Sequence, residues 1–352
     1  METLRFAVIG AGNIAKIHVQ ALQQIPAAQI TVVCSRTAAS GRTLAATCGA
    51  AWEADYREAV RRTDVDAVAV CTPSATHAEI AIAGAQAGKH LLVEKPIDVT
   101  LPKVDALLEA VRQAGVTLAG VFPLRFMAGT HQAKAAIDAG RLGRVTMADV
   151  FVKWYRPQQY YDSSWRGTWA FDGGGALMNQ AIHNIDLLQW LVGPVTAVSG
   201  RMGTLAHKME TEDTGCALLT FASGALGVIQ GATSCWPGDP ARVEVRGDRG
   251  TIVLEEGRIV TWKLADAAAG EEEAMLNLEG DGGGSGAGDP MAIGSERHRR
   301  QIVDFIEAVQ QGRPPLVDGP EARKAVEIIR AIYRSAEAGR TVALPLNESI
   351  NQ

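Results

Sequence analysis

The sequence predicts an α/β protein of two domains. A doubly wound parallel sheet is expected over residues 1–122, and an α+β domain with a mostly antiparallel sheet over 123–352. Three observations carry this expectation. Through the first third, short apolar runs alternate with helix-periodic segments, the pattern of repeated strand–helix–strand units. From Val145 onward the pattern changes to one β-rich segment after another. The chain is also 352 residues long, more than a single core usually serves.

The first strand is Leu4-Arg5-Phe6-Ala7-Val8-Ile9, followed by Gly10-Ala11-Gly12-Asn13-Ile14-Ala15 and a helical pattern that stops before Pro26. Ile30-Thr31-Val32-Val33-Cys34 completes the unit. A Gly-x-Gly-x-x-Ala turn between a strand and a helix is a dinucleotide fingerprint. Gly10 makes the tight turn, Gly12 lets backbone approach a pyrophosphate, and Asn13 and Ile14 open a helix whose N–H groups favour phosphate. The second strand runs out into Ser35-Arg36, without the acid that usually binds a ribose diol. A hydroxyl and a guanidinium suit a 2′-phosphate, which favours NADP(H) over NAD(H). If Arg36 only stacks on adenine, NAD(H) fits as well.

Ala67 to Thr72 forms the next buried strand and ends in Pro73-Ser74-Ala75-Thr76-His77. After a helix from about Ala78 to Ala87, the strand His90 to Val93 delivers Glu94-Lys95-Pro96. Ligands of open α/β sheets bind at the carboxyl ends of strands. Lys95 is therefore aimed at the expected cofactor, with Thr72, Pro73, Ser74, His77 and Glu94 beside it. By itself, Glu-Lys-Pro is equally at home in a surface turn. A helix from Leu101 to Ala114 and the run Val116 to Phe122 close the domain.

In the second domain, a helix after Gly129 precedes β segments at Thr146–Tyr155, Val195–Met202, Asp213–Phe221, Ala225–Ala232, Ala241–Arg246, Thr251–Leu254 and Arg258–Leu264. Gly282 to Gly288 is expected to be a flexible surface loop. Gly173-Gly174-Gly175 opens a helix from Ala176 to Leu191 on which Asn179, His183 and Asp186 recur at i, i+4 and i+7, a shared polar face. A helix amino end beside three glycines can lie against a ligand, and a carboxylate one turn from an imidazole suits general acid/base work. A core-satisfied histidine is the alternative. No third metal ligand is evident, so no metal is expected.

Composition bounds the rest. The net charge is −5, with 47% hydrophobic and 21% charged residues, which argues against nucleic acid as a partner. Arg297-His298-Arg299-Arg300 is expected to be a solvated helix face. Cys34, Cys48, Cys71, Cys216 and Cys235 are scattered and odd in number, as expected of reduced thiols in a cytoplasm. Leu4 to Ile9 is too short for a signal-peptide core, and no apolar stretch is long enough to span a membrane.

Taken together, Gly10-x-Gly12-x-x-Ala15, Cys71-Thr72-Pro73, Glu94-Lys95-Pro96, Gly173-Gly174-Gly175 and His183-x-x-Asp186 resemble the Gfo/Idh/MocA oxidoreductases, over essentially the whole chain. The resemblance implies an N-terminal Rossmann domain, a C-terminal domain with an open sheet, and a homodimer or homotetramer. It implies hydride transfer between NAD(P) and a secondary hydroxyl of a sugar, sugar acid or cyclitol. Lys95 matches the family's lysine at the reacting hydroxyl and the cofactor ribose, and His183 its proton-exchanging histidine. Asn179 stands where an aspartate is common, so it orients a hydroxyl but takes no proton. Trp165-Arg166 resembles a pair near the nicotinamide in some members. Pro123-Leu124-Arg125 replaces an Asn-Arg pair after the last strand, with Arg125 the matching cofactor residue. Arg156 to Tyr161, Trp165 to Trp169 and Met178 to Gln180 resemble the branch acting on nucleotide-linked N-acetylglucosaminuronate, although that branch has an Asp where Ser35-Arg36 stands. Tyr155, Arg156, Tyr160 and Tyr161, with Asn179 and His183, are the expected substrate residues. The rival functions are a glycoside hydrolase that uses NAD transiently and a non-catalytic NADP(H)-binding sensor.

Overall fold

A computed structural model describes residues 3–162, 165–278 and 294–346, in two compact units. One gathers the residues up to Phe122 together with Gly294–Arg323, and the other runs from Pro123 and resumes at Lys324. The first unit thus takes in a segment from late in the chain as well as its first third. The loop expected at Gly282 to Gly288 lies outside the described residues.

The first unit is built on β1 (Leu4–Ile9), α1 (Asn13–Gln23), β2 (Ala28–Cys34), α2 (Ala38–Cys48), β3 (Ala51–Glu53), α3 (Tyr56–Arg61), β4 (Ala67–Val70), α4 (His77–Gln86), β5 (His90–Val93), α5 (Leu101–Ala114) and β6 (Leu118–Gly120). Its six strands are all parallel, in the order β3-β2-β1-β4-β5-β6. Covered on both faces, the central strands carry continuous apolar runs: Val8, Val68, Ala69, Leu91 and Leu92 are all fully buried. The small residues of α2, the three-residue β3 and the six-residue α3 leave little periodic signal, and the sequence reading passed over them.

The returning segment is a helix, Glu296–Gln311. Ile302, Phe305 and Ile306 join the core around Phe6. Gln301 completes the outer edge of β6 beside Val317, donating to the Gly120 carbonyl at 2.7 Å and accepting from Phe122 N at 3.0 Å, while Gly120 N donates to Val317 O. The expectation of a solvated basic face is corrected here. Arg299 and Arg300 pair with Glu296 near solvent, whereas Arg297 and His298 are buried.

The second unit contains α6 (Ala128–Asp138), β7 (Val145–Lys153), α7 (Ile182–Val192), β8 (Val195–Gly203), β9 (Thr214–Phe221), β10 (Leu226–Ala232), β11 (Arg242–Gly247), β12 (Gly250–Glu255), β13 (Arg258–Leu264), α8 (Glu271–Leu276) and β14 (Val342–Ala343). The eight strands order as β13-β12-β11-β7-β10-β9-β8-β14. Only the β7–β10 pair is parallel, and the other pairs are antiparallel. One face of the sheet is covered by α7 and by the second-unit part of the long helix Gly319–Ala338. The paired Gly215 and Gly231 sit beneath Leu177, whose methyls lie where their Cβ atoms would be, at 2.8 and 2.7 Å. Two absent side chains thus let the chain carrying Asn179 rest directly on the sheet. Among the described residues no helix is long and apolar enough to cross a membrane.

Candidate active site

In the first unit, the expected cofactor residues collect at the carboxyl ends of β1, β2, β4 and β5. Gly10 has φ +123°, and a Cβ there would collide with the Cys71 carbonyl, so only glycine makes this turn. Gly12 is the N-cap of α1, with open space where its Cβ would lie, no side-chain cap and no acid in the first turn. Asn13 is exposed and Ile14 half-buried. The helix amino end is therefore electropositive and unobstructed, which fits a phosphate. Ser35 donates to the Thr37 carbonyl at 2.9 Å and accepts from Trp52 Nε1 at 3.4 Å, and Arg36 is exposed beside it.

Beyond β4, Thr72 and Pro73 are half-buried and Ser74 is buried. His77 is buried with both ring nitrogens against main-chain carbonyls, Nδ1 at 2.7 Å from Pro96 O and Nε2 at 2.8 Å from Thr72 O. The ring ties the strand end carrying Thr72 to the one carrying Lys95. Asp98 adds a second tie by accepting from Ala78 N at 3.0 Å and from Val99 N at 2.7 Å. Glu94, expected at the cofactor, turns inward instead. One carboxylate oxygen accepts from His18 Nε2 at 2.8 Å and the other from Lys95 N at 3.0 Å. Burial would push its carboxyl up, but the His18 bond and the positive charge around it hold it at about 2. Lys95 itself is half-buried at the end of β5.

In the second unit, residues Ala176–Ala181 form a widened π-helical turn that runs into α7. The expected common face of Asn179, His183 and Asp186 is divided as a result. Asn179 and His183 are half-buried, while Asp186 is fully buried and takes a bidentate bond from Arg125 at 2.6 and 2.8 Å. Arg125, expected at the cofactor, is likewise fully buried, with its guanidinium held by Asp186 and lying over the Trp190 ring.

Gln180 links the expected substrate residues. Its Oε1 accepts from Arg156 Nη2 at 3.1 Å, and its Nε2 reaches both the Tyr160 hydroxyl and Asn179 Oδ1 at 3.1 Å. Asn179 Nδ2 donates to Asp172, a buried carboxylate that also accepts from Gly167 N at 2.9 Å. Asn179 Oδ1 is therefore fixed as an acceptor. Arg166 stacks over Tyr160 and Trp165 at 4.4 and 5.1 Å. Arg156 is buried over Trp154. Tyr161 donates to Thr233 Oγ1 at 2.7 Å, its phenol pushed up by burial. Tyr155 meets Trp236 edge to face.

Sequence reasoning gave none of five residues here a supporting role. Asp172 and Gln180 hold Asn179. Glu212 anchors the widened turn, accepting from Gly175 N and Leu177 N at 2.9 Å and from the Tyr333 hydroxyl at 2.8 Å. His18 with His298 flanks Glu94. Only the run Met178-Asn179-Gln180 offered any local signal for one of them.

Residues 4–122 match the oxidoreductase family with an NAD-binding Rossmann fold, and residues 130–253 match the GFO/IDH/MocA C-terminal domain. The chain is 30% identical to the myo-inositol 2-dehydrogenase of Thermotoga maritima, over 97% of this chain and 98% of that protein. It is also 30% identical to a 1,5-anhydro-D-fructose reductase of Ensifer adhaerens, over 97% and 98%. The crystal structure of the WlbA dehydrogenase of Bordetella pertussis, in complex with NADH and UDP-GlcNAcA, superimposes with a TM-score of 0.90. It shares 33% identity over 98% of this chain and 99% of that one. The chain belongs to the Gfo/Idh/MocA oxidoreductase family.

Proposed function

We propose that this oxidoreductase transfers a hydride between a nicotinamide dinucleotide and a carbon bearing a secondary hydroxyl of a sugar, sugar acid or cyclitol. The observation that carries the reading is Lys95. It stands at the carboxyl end of a buried parallel strand, two strands from the glycine turn, with its backbone fixed by Glu94. The cradle at Gly10 and Gly12 and the uncapped α1 fit a dinucleotide phosphate, and the bound cofactor supplies the hydride donor or acceptor. Lys95 and His183 exchange the hydroxyl proton. Asn179, its amide nitrogen engaged by Asp172, offers its oxygen to a substrate hydroxyl. The named relatives act on inositol and anhydrofructose, and the WlbA structure holds a nucleotide-linked sugar acid, which supports a polyol or sugar substrate here.

Ser35 and Arg36, with no acid at the end of β2, support NADP(H) as the preferred cofactor. The open face of the eight-stranded sheet exposes Met147, Leu218 and Leu226, which supports a homo-oligomer. A cytoplasmic enzyme with reduced thiols is in keeping with five free cysteines among the described residues. A panel of cyclitols, sugars and nucleotide-sugars, followed at the nicotinamide absorbance band with each cofactor, tests the reading. Stoichiometric reduction or oxidation is expected, faster with NADP(H). Release of a free sugar with no net change in the band would replace it with cofactor-recycling hydrolysis.

A further inference from the structure

We propose that His18, Glu94 and His298 form a buried positioning set that holds Lys95 in place through its main chain. This inference rests on the role given to Lys95 above. All three residues lie in the first unit but come from distant parts of the chain: α1, the end of β5, and the returning helix Glu296–Gln311. Each is at least 96% buried, with exposures of 1%, 4% and 4%. Glu94 is bonded at both oxygens, to His18 Nε2 at 2.8 Å and to Lys95 N at 3.0 Å. His298 packs its ring edge-on against His18, with centroids 5.4 Å apart and its Nε2 3.9 Å from the same Glu94 oxygen.

A carboxylate and two imidazoles are a costly filling for this space, because each loses its hydration. Apolar side chains of similar volume would pack as stably. What the set provides is direction. An ionised carboxylate makes a charge-assisted bond to the amide of the residue whose side chain must be aimed, and such bonds are stronger than those between neutral groups. Misplacing a reacting group by about 1 Å costs on the order of a hundredfold in rate. His18 keeps Glu94 ionised and oriented, and His298 keeps the His18 ring from turning.

Two imidazoles and a carboxylate within 4.8 Å are also the side-chain types of a transition-metal site. Here, however, His18 and Glu94 are bonded directly to each other, and the second Glu94 oxygen is committed to Lys95 N.

The test compares His18→Leu, His18→Gln and Glu94→Gln with the unmodified enzyme, all checked for folding by thermal melting. A glutamine amide at position 18 can still donate to Glu94. With His18→Leu and Glu94→Gln, kcat is expected to fall by about tenfold or more while KM and the cofactor Kd stay within about threefold. His18→Gln should recover most of kcat. The amide proton of 15N-labelled Lys95 should resonate far downfield in the unmodified protein and in His18→Gln, and move upfield in Glu94→Gln. That signal reads the anchor whether or not Lys95 is catalytic. An unmoved amide would overturn the positioning set, whereas a Lys95→Met variant that turns over would overturn only the reading it rests on. Loss of kcat in His18→Gln equal to that in His18→Leu would also overturn it. So would a metal ion that survives chelation and departs with His18→Gln.

Discussion

Asn179 is chemically defined by what surrounds it. Its amide nitrogen faces Asp172, which is buried and already receives a backbone N–H. Replacing Asn179 with Asp would bring two carboxylates together, and like charges that close cannot both ionise cheaply. The folded pair would hold a proton more tightly than the unfolded chain. The penalty is therefore absent below the unfolded carboxyl value near 4 and grows as pH rises through it. Asn179→Asp is expected to lose about 1–3 kcal/mol at pH 8 and almost nothing at pH 4, measured by urea unfolding. An equal loss at both values would show that Asp172 does not face this amide. The residue types of this site were legible in the sequence because Asn179, His183 and Lys95 sit in short motifs. Asp172, Glu212 and His18 were not, since each acts on a partner brought near only by folding.

The widened turn before α7 is an element whose shape depends on one buried acid. Glu212 accepts two backbone N–H groups of that turn and the Tyr333 hydroxyl, yet burial dominates and pushes its carboxyl up to about 7. A carboxyl raised on folding makes stability fall with rising pH. Between about 4.5 and 7 the unfolded chain gives up this proton while the folded chain keeps it. Glu212→Gln, which cannot ionise, is expected to remove a slope on the order of 3 kcal/mol across that window. Melting curves of both proteins at pH 4.5, 6 and 7.5 measure it, and parallel curves would contradict the assignment. At this scale, strands and long helices were readable from their periodicity. The π-helical start was not, because Ala176 to Ala181 has an ordinary helical composition and the widening answers to Glu212 and to Leu177 seated on Gly215 and Gly231.

At the scale of the molecule, a doubly wound parallel sheet followed by a mostly antiparallel one was legible, whereas the strand order and the short β3 were not. Apolar strands and the change of pattern at Val145 are local signals. The return of Gly294–Arg323 to the first unit was not legible, because the basic opening Arg297 to Arg300 reads as a solvated helix face and nothing local shows that Ile302, Phe305 and Ile306 complete a distant core. On the exposed sheet face, Leu218 and Leu226 are 63% and 58% exposed. If that face joins copies of the chain, the double change Leu218→Asp and Leu226→Asp should reduce the sedimentation mass to that of one chain. An oligomer that persists would place the interface elsewhere. If Lys95 carries proton transfer at a bound nicotinamide cofactor, Lys95→Met removes the chemistry and spares the cofactor site. With a substrate found on the polyol panel, kcat of this variant is expected to fall by at least about a thousandfold while the cofactor Kd changes by less than about threefold. Retained kcat in that variant would contradict this role for Lys95.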